Sequence, residues 1–532
     1  LQQSRKKVMC LKTLVLGILV GCSKAVSNGA IHLTVSSLAG DRLADGGTID
    51  WLPSGRARQV KTESEDVTVT IQGHNTRQTI RGFGASFLES GAINLNALPP
   101  TKQEELLHLL FTEVGLSAMK SPMPCDDFCA AGPWYTYDDS PGDVKLVNFS
   151  IARDLAPNGT LTLLKRAQAH GFNGTLQSYM DYPPDWMLVG KLPDHATVNP
   201  DLYDVLAQYY ADFVTQYAAH GAVIDYLSLF NEPVDSYTNI SPAESARLLG
   251  EHVGPLFDRL GLRPRTKLTY GGQATRGSAG EAVPQVMANT QAARYMDHIA
   301  FHGYDCQFNC TKVRQNYTAV EELRVLYSDK EILMTEICYA YNGDDPNCRQ
   351  ASTMGNCTDW PRNSSLAPPL PRFAFEDGSI WGSRIVSDLN AGVSAWIYWN
   401  LLLDMKGGPF QFSPMHNDDG ANLQQAVVHV DVATGTYHTT GLFWYLAHFA
   451  KFVRPGSVLV KTVVGGAVPP PSVPEGTSGV EAVAFAVPDQ GFVAVLMNHD
   501  QVPRHVSVHF EGKVAELKLP PVSVITATWG VN

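Results

Sequence analysis

The sequence from about Gly82 to Asp431 alternates short apolar runs with amphipathic helical segments, and this alternation limits the chain to a few folds. Eight apolar runs of strand length occur there, at residues 82–87, 116–123, 174–182, 224–230, 267–272, 298–304, 331–339 and 393–400. Strand-then-helix alternation over this length predicts an α/β fold, a (β/α)8 barrel. The alternative is an open doubly wound sheet, which should carry a glycine-rich phosphate loop after its first strand; Gly82-Phe83-Gly84 is too short for one.

Helix start signals lie between the apolar runs. Thr101 and Glu104 have the spacing of a capping box, which predicts a helix over 101–113. Residues 201–220 place their apolar side chains on one face, and Gly221 then ends the predicted helix. Ser241-Pro242-Ala243-Glu244 combines a capping box with proline at the first helical position, which predicts a helix to Gly261.

Both ends of the chain have the pattern of β-structure. Residues 26–80 contain short alternating segments, and after Trp444 the helical pattern fades into predicted strands at 480–487, 491–498, 505–510 and 522–529. We expect an accessory β-sandwich built from the C-terminal strands joined by the N-terminal ones. The predicted division is a signal peptide over 1–25, N-terminal strands over 26–80, a catalytic barrel over 81–431 and the sandwich over 432–532.

The N-terminus has the layout of a secretory signal. Basic residues at positions 5–12 precede a short apolar run over 14–20, and Ser23-Lys24-Ala25 offers the small residues that a signal peptidase needs. A bacterial lipoprotein box at Leu19-Val20-Gly21-Cys22 is the alternative. No later segment is long and apolar enough to cross a membrane. The sequence thus predicts a secreted or lysosomal protein.

Cysteine spacing and sequons agree with export. Seven of the nine cysteines follow the predicted cleavage site, at Cys125, Cys129, Cys306, Cys310, Cys338, Cys348 and Cys357. Their clustering predicts local disulfides, and the odd number leaves at least one thiol outside them. A zinc site is the alternative, but paired histidines are missing near the Cys-x3-Cys spacings. Asn-x-Ser/Thr sequons, which predict a glycoprotein, occur at Asn148, Asn158, Asn173, Asn239, Asn309, Asn316, Asn356 and Asn363.

Charge argues against one class of partner. The formal net charge is −12, and no block of basic residues interrupts the sequence. Proteins that bind nucleic acid usually carry a basic patch or stripe. We therefore expect no nucleic-acid partner.

Two glutamates stand at the ends of predicted barrel strands. Glu232, between Asn231 and Pro233, follows the fourth apolar run, and Glu336 follows the apolar part of the seventh. A glutamate at a strand end is by itself more often solvated or salt-bridged. The carboxyl ends of barrel strands carry catalytic residues, however, and two carboxylates there are what glycoside hydrolysis needs. One would act as acid and base and the other as nucleophile, with burial and hydrogen bonding setting their protonation states.

From about Ile80 into the predicted sandwich, the sequence resembles glycoside hydrolase family 30. The matching motifs are IRGFGASFLES, PCDDF, YTYDDSPGDVKLVNFS, FNEP, IAFHGY, MTE, YWNLLLDMKGGP and YLAHFAKFVRPGS. The resemblance implies a retaining mechanism with Glu232 as acid/base and Glu336 as nucleophile. It implies no metal or organic cofactor.

The resemblance also implies residues that bind one β-linked sugar. They are Asp127, Asn231 and Trp399, with His302 and Tyr304 beside the nucleophile and Trp186 retained from the family pattern. Asn231 can hydrogen-bond the sugar 2-hydroxyl, Tyr304 can orient Glu336, and Trp399 offers a flat apolar face. The alternatives are that Trp399 only packs the barrel, His302 is a core histidine and Asp127 caps a turn.

The sequence departs from the glucosylceramidase pattern of the family at the sugar pocket. Lys120 stands where that pattern has arginine, and Asp181, or Tyr182 with a slip of one residue, stands where it has a sugar-binding tryptophan. The two basic side chains are not equivalent, because a guanidinium forms a fork and an ammonium is a point charge.

By resemblance, the predicted activity is hydrolysis of a β-glucoside of the glucosylceramide type. A glycosphingolipid substrate would bring the enzyme to a membrane surface without a transmembrane segment. The alternatives are an endo- or exo-acting β-1,6-glucanase or galactanase, a catalytically inactive carbohydrate-binding protein, and a structural coat protein. Retention of both glutamates favours the enzyme.

Overall fold

The computed structural model describes residues 29–53, 67–191, 194–233, 238–305, 316–338, 340–341, 373–410, 423–466 and 478–530. The predicted signal peptide lies outside these residues. So do four of the seven cysteines that follow the predicted cleavage site, Cys306, Cys310, Cys348 and Cys357, and the sequons at Asn309, Asn356 and Asn363.

The strands of the described residues are numbered in chain order. They are β1 (Ala30–Ser37), β2 (Ala44–Asp50), β3 (Leu52–Pro53), β4 (Val67–Thr79), β5 (Gly82–Ser86), β6 (Ala118–Met123), β7 (Thr175–Met180), β8 (Leu188–Lys191), β9 (Asp194–Val198), β10 (Tyr226–Ser228), β11 (Lys267–Thr269), β12 (Gly272–Gln273), β13 (His298–His302), β14 (Glu331–Glu336), β15 (Ala340–Tyr341), β16 (Ala395–Asn400), β17 (Leu402–Asp404), β18 (Leu423–Gln424), β19 (Val428–Asp431), β20 (Thr436–Thr439), β21 (Val458–Gly465), β22 (Val480–Val487), β23 (Gly491–Asn498), β24 (Arg504–Phe510), β25 (Lys513–Leu519) and β26 (Ser523–Trp529).

The helices lie mostly between the parallel strands. They are α1 (Glu89–Ala97), α2 (Pro100–His108), α3 (Thr160–Ala169), α4 (Tyr203–Ala219), α5 (Pro242–Arg247), α6 (Gly254–Arg259), α7 (Arg276–Met287), α8 (Thr290–Tyr295), α9 (Tyr317–Leu326), α10 (Asp377–Ala391) and α11 (Gly441–Phe452). Two π-helical turns, Leu109–Glu113 and Leu248–Val253, continue α2 and join α5 to α6. No helix of the described residues is both long and apolar enough to cross a membrane.

The parallel strands close into a barrel, which confirms the predicted fold class. Their order is β11-β10-β7-β6-β5-β16-β14-β13-β12, and β11 pairs with β10 while β12 pairs with β13. Because β11 and β12 are the two halves of one interrupted strand, they join the ends of the sheet into a ring of eight. Each of the eight apolar runs in the sequence contains one of these strands, so the run boundaries extend beyond the strands by only a few residues.

Helix boundaries differ from the sequence-based expectation in two places. The predicted capping box at Thr101 and Glu104 is wrong, because α2 begins at Pro100 and its N-cap residue, Pro99, makes no side-chain cap. Pro100 suits the first position of the helix, because the first N–H groups of a helix have no partner inside the helix and proline lacks this group. The prediction that helical structure ends near Trp444 is also wrong, because α11 continues to Phe452. This helix is buried around most of its circumference, so its sequence shows little polar periodicity. The cap at Ser241 is confirmed, with its side chain accepting from Glu244 N–H.

The N-terminal and C-terminal strands form one ten-stranded sheet, in the order β2-β1-β26-β23-β22-β21-β4-β24-β25-β3. The sheet surrounds an apolar core of its own, which includes Ile31, Val69, Leu496, Phe510 and Trp529. Strands from both ends of the chain therefore build the accessory domain, as predicted. The strand β25 and the strand β21 were not predicted from the sequence.

The accessory domain packs directly on the barrel. Along β22, Ala482 and Ala484 belong to the core of the ten-stranded sheet, whereas Val483 and Phe485 belong to the core of the barrel. Side chains alternate between the two faces of a strand, so one strand contributes to both cores. Buried His448 on α11 links the domains further through Thr526 Oγ1 (2.7 Å) and Ser36 Oγ (2.9 Å).

Candidate active site

Glu232 lies at the rim of the barrel, shortly after Ser228 ends β10. Its backbone N–H donates to the carbonyl of Gly272 at 2.7 Å, and the N–H of Asn231 donates to the carbonyl of Met180 at 2.8 Å. Glu232 has a φ of 42°, in the left-handed region that residues other than glycine rarely adopt. This conformation costs about 1–3 kcal/mol and persists where surrounding contacts enforce it. Hydrogen bonds to the two flanking strands therefore fix the direction of this residue.

Glu336 is the last residue of β14, and its partner across the sheet is His302 on β13. A shift of register after Phe301 brings these two residues opposite each other. The Lys120 ammonium donates to Glu336 Oε2 at 2.5 Å, and the Tyr304 hydroxyl donates to Oε1 at 3.0 Å. Both carboxylate oxygens of Glu336 thus receive a hydrogen bond from a neighbouring side chain.

The two glutamates are close together. An oxygen of Glu232, an oxygen of Glu336 and a ring nitrogen of His302 all lie within 4.8 Å of one another. Nδ1 of His302 is 2.7 Å from Glu232 Oε1 and 3.7 Å from Glu336 Oε1. A sugar bound at this rim would have both carboxyl groups within reach of its anomeric centre.

His302 is buried between the two carboxyl groups. Burial lowers the pKa of His302 to about 3, so its imidazole is neutral in ordinary buffers. A neutral imidazole has one N–H and one acceptor nitrogen. Nδ1 can therefore donate to Glu232 when that carboxyl is ionised and, in the other tautomer, accept from it when it is protonated. His302 thus suits a group that gains and loses a proton during a reaction.

The same three side chains have the donor set of a metal site. Glu232, His302 and Glu336 could each supply one ligand atom to a divalent cation. One oxygen of Glu336, however, already binds the Lys120 ammonium. A cation and an ammonium on the same carboxylate would repel each other, so the donor set fits a metal poorly.

Lys120 is enclosed by aromatic rings. Its ammonium lies 3.7 Å from the ring centroid of Tyr179 and 4.9 Å from that of Trp399. The Lys120 side chain has no solvent exposure, and the ring faces stabilise a cation that burial has stripped of water. The lysine that replaces the arginine of the family pattern is therefore paired with the predicted nucleophile.

A free thiol lies directly behind Tyr304. Cys338 Sγ is 3.4 Å from the Tyr304 hydroxyl, and it donates to Gln424 Oε1 at 3.2 Å. Asn400 Nδ2 donates to the same oxygen at 2.7 Å. Cys338 is buried and is not in a disulfide. These contacts support the ring of Tyr304, whose hydroxyl donates to Glu336.

Further carboxyl groups lie near the pair. Asp126 accepts from the Phe128 N–H at 2.6 Å, and Asp181 follows the last residue of β7. Burial, with the charge of Asp127 as an added cause, raises the pKa of Asp181 well above its usual range; burial also raises that of Asp126. So many acids in one buried place cannot all be ionised.

A disulfide holds the turn that carries two of these acids. Cys125 and Cys129 are bonded, and Asp126 and Asp127 lie between them. This disulfide confirms the local pairing predicted for the first two clustered cysteines, Cys125 and Cys129. Within this turn, the Asp126 carboxylate accepts the backbone N–H of Phe128.

The other predicted sugar-binding residues, Asn231, Trp399 and Trp186, differ from one another in exposure and in hydrogen bonding. The Asn231 side-chain oxygen is buried and has no hydrogen-bond partner within the described part of the chain, so it is available to a ligand. Trp399 is only 4% exposed, and Tyr179 and Phe128 meet its ring edge-on. Trp186 donates its indole N–H to the carbonyl of Asp138 at 2.9 Å, which ties it to the preceding loop.

Three neighbours of the pair were not assigned a role from the sequence. They are Asp126, Tyr179 and Cys338. The position of Lys120 carried a signal, because a lysine inside a mostly apolar strand is expected to be buried, and buried lysines are almost always paired. The sequence does not state which carboxylate pairs with it, since the partner is distant in the chain.

Comparisons with known proteins agree with this geometry. The sequence model of the Glycosyl hydrolase family 30 TIM-barrel domain matches residues 80–358 and 372–453, and that of the Glycosyl hydrolase family 30 beta sandwich domain matches 456–527. An endo-1,6-beta-D-glucanase of Neurospora crassa is 26% identical over 486 residues, which are 88% of this chain and 84% of the relative. The lysosomal acid glucosylceramidase of Mus musculus is 24% identical over 493 residues, 89% of this chain and 85% of the relative.

Solved structures share the fold. The endo-beta1,6-glucanase BT3312 aligns with a TM-score of 0.72 at 19% identity, covering 94% of this chain and all of the other. SrfJ from Salmonella typhimurium aligns with a TM-score of 0.76 at 21% identity and the same coverage of both chains. These identities are low, so the likeness concerns the arrangement of barrel and sandwich.

Proposed function

The chain belongs to glycosyl hydrolase family 30 and is a glycoside hydrolase, and we propose that it is a retaining β-glycosidase with Glu336 as nucleophile and Glu232 as acid/base. The single observation that carries the proposal is the separation of the two carboxyl groups, with an oxygen of each within 4.8 Å. Retaining enzymes place their carboxyl groups about 5–5.5 Å apart, whereas inverting enzymes leave about 6.5–9.5 Å for a water molecule.

The reaction takes two displacements. Glu336 attacks the anomeric carbon while Glu232 gives its proton to the departing oxygen, and a covalent glycosyl–enzyme forms. Glu232 then removes a proton from water, and the water oxygen attacks the anomeric carbon and releases Glu336. Lys120 and Tyr304 hold the nucleophile through their hydrogen bonds. His302 donates a hydrogen bond to Glu232 when that carboxyl is ionised and accepts one from it when it is protonated.

The bound sugar contacts the predicted binding residues. Asn231 presents a buried side-chain oxygen without a partner among the described residues, which suits the 2-hydroxyl of the sugar. Asp127 stands on the disulfide-closed turn beside the pair. Trp399 bounds the site with its small exposed edge, and Trp186 orders the adjoining loop more than it touches the sugar.

The proposed substrate is a β-glucoside, and glucosylceramide is the first candidate because of the family motifs. The names of curated relatives include both glucosylceramidase and endo-1,6-beta-D-glucanase, which have a β-glucosyl bond in common. A β-1,6-linked glucan is the second candidate. Lys120 and Asp181, which differ from the glucosylceramidase pattern at the sugar pocket, favour it.

We further propose export to the cell exterior or the lysosome. The predicted signal segment supports it, and so does the disulfide between Cys125 and Cys129, because disulfides persist in oxidising compartments.

A matched substrate panel tests the proposal. The panel comprises glucosylceramide, galactosylceramide, an aryl β-glucoside, β-1,6-glucan and β-1,6-galactan, each with wild type, Glu336→Gln and Glu232→Gln. We expect hydrolysis of the aryl β-glucoside and of at least one natural β-glucoside, lost in Glu336→Gln. Cleavage of glucan without lipid would select the second candidate, and binding of glycan without any cleavage would contradict the enzyme proposal.

A further inference from the structure

Asp181 is a buried acid at the catalytic rim to which the proposed chemistry gives no task. It directly follows β7, and the carbonyl of the preceding Met180 accepts the N–H of Asn231. That hydrogen bond places Asp181 next to the segment that carries Asn231 and Glu232. The charges of Asp127, Asp126, Glu336 and Glu232 all act on its carboxyl, so it belongs to the same group of acids.

The Asp181 carboxyl lacks a partner. It is only 6% exposed, and it forms no hydrogen bond or ion pair with any residue in the described ranges. The carboxyl oxygens of Asp181 are not among the fully enclosed polar atoms without a partner, so the small exposed part of this residue includes its carboxyl. A ligand can supply the missing hydrogen bond, since the group adjoins the proposed sugar site.

The charges around Asp181 are mostly negative. Burial, and then the charges of Asp127, Asp126, Glu336 and Glu232 in that order, raise the pKa of Asp181 well above its usual range. The raised pKa favours the protonated form of the carboxyl, which can donate a hydrogen bond as well as accept one.

Little positive charge offsets these acids. Among the described residues that contact them at the rim, Lys120 is already paired with Glu336, and His302 is neutral because burial lowers its pKa to about 3. A sugar that carries a carboxylate would therefore find no unpaired cation among these residues, and burying a charge without a partner strongly disfavours binding.

We propose that Asp181 is a specificity-determining residue: its carboxyl hydrogen-bonds a hydroxyl of the sugar held between Glu232 and Glu336, and the lack of an unpaired cation among the described rim residues restricts the site to uncharged sugars. The inference rests on the proposed function and names its substrate class. Neutral β-hexosides are accepted, and β-uronides are excluded.

Two variants at one position separate the hydrogen bond from the volume of the side chain. Asp181→Asn keeps the size and both hydrogen-bonding capacities, and Asp181→Leu keeps the approximate size without them. Exposed Asp185, in the turn after Asp181, provides the controls Asp185→Asn and Asp185→Leu. Thermal unfolding of each variant checks that it folds.

Kinetics with 4-nitrophenyl β-D-glucoside give the first readout. We expect Asp181→Leu to lower kcat/KM by about tenfold or more, mainly through KM, and Asp181→Asn to change it by less than about threefold. The Asp185 variants should match wild type. Wild type should hydrolyse the matching β-D-glucuronide at least about 100-fold more slowly. Unchanged kinetics in Asp181→Leu, or equal hydrolysis of the glucuronide, would overturn the inference.

Binding gives a readout that does not depend on turnover. We would measure the affinity for 1-deoxynojirimycin, a sugar mimic with ring hydroxyls, by calorimetry on the full chain. Asp181→Leu should weaken Kd by about tenfold and Asp181→Asn by less than about threefold. If no glycoside is hydrolysed, the proposed function fails, while a binding loss confined to Asp181→Leu would still support the Asp181 contact. Equal affinity in all variants, or none in wild type, would overturn it.

Discussion

The ammonium of Lys120 lies 2.5 Å from Oε2 of Glu336, and neither side chain is more than one tenth exposed. The pair joins β6 to β14 across the mouth of the barrel, with the rings of Tyr179 and Trp399 around the cation. Removing one member of a buried pair leaves the other charge without compensation. Glu336, the proposed nucleophile, is thus held by a contact whose loss should affect both stability and reaction.

Replacing Lys120 with methionine tests this pair. We expect Lys120→Met to lower the free energy of unfolding by about 3–5 kcal/mol, because Glu336 is left as an unpaired buried charge. The double variant Lys120→Met/Glu336→Gln should recover most of that loss. Denaturant unfolding measures both. The control is Lys102→Met, whose exposed pair with Glu105 should matter by less than about 1 kcal/mol. Equal stability of the Lys120 single variant and wild type would contradict the account.

Replacing Tyr304 with phenylalanine removes one hydrogen bond to Glu336, the proposed nucleophile. We expect kcat to fall by about 10- to 100-fold with little change in KM, because a hydrogen bond to a charged group contributes about 1.5–3 kcal/mol. Tyr226→Phe is a matched control, since the Tyr226 hydroxyl donates to Glu331, at the other end of the strand that carries Glu336. A larger loss in Tyr226→Phe would show that the effect is structural.

Cys338 should act through Tyr304. We expect Cys338→Ser to keep most activity, because a hydroxyl preserves the contacts to Tyr304 and Gln424. Cys338→Ala should lower kcat by a few fold, roughly the effect of one neutral hydrogen bond. In the double variant Tyr304→Phe/Cys338→Ala the losses should not add, since the thiol has no effect without the tyrosine hydroxyl. Additive losses would mean that Cys338 acts on its own.

The burial of His448 leads to a prediction of how the free energy of unfolding depends on pH. Burial, followed by the charge of Lys451, lowers the pKa of His448 from 6.5 to about 3. The folded state therefore excludes a proton that the unfolded state binds, so the contribution of His448 is complete above pH 6.5 and is lost as the pH falls towards 3. The loss amounts to about 5 kcal/mol at most.

Unfolding measurements between pH 7 and pH 4 test that contribution. His448→Gln should remove close to one proton from the slope of stability against pH. Exposed His438 provides the control His438→Gln, which should leave the slope unchanged. An identical slope in His448→Gln and wild type would show that the buried imidazole does not contribute to the pH dependence of stability.

The barrel could be predicted from the sequence because each parallel strand is buried on both faces and appears as a continuous apolar run. The rim glutamates followed from their places after two such runs. The helix α11 escaped detection because its surroundings bury nearly all of its surface, which removes the polar stripe that marks a helix.

Contacts between distant residues account for what the sequence did not reveal. Lys120 and Glu336 are paired through the closure of the barrel, and no local pattern encodes that pairing. Trp399 is only 4% exposed because Phe128 and Tyr179, among other side chains, arrive from distant parts of the chain and pack against it. The isolation of Asp181 likewise depends on which side chains approach it in three dimensions.

The most direct test of the account is mass-spectrometric mapping of a trapped glycosyl–enzyme. With 2,4-dinitrophenyl 2-deoxy-2-fluoro-β-D-glucoside the good leaving group promotes the first displacement, and the fluorine slows the second, so a covalent intermediate accumulates. The account predicts one adduct for each chain, on the peptide that contains Glu336, and none in Glu336→Gln. An adduct on another residue, or turnover with inverted product and no adduct, would contradict it.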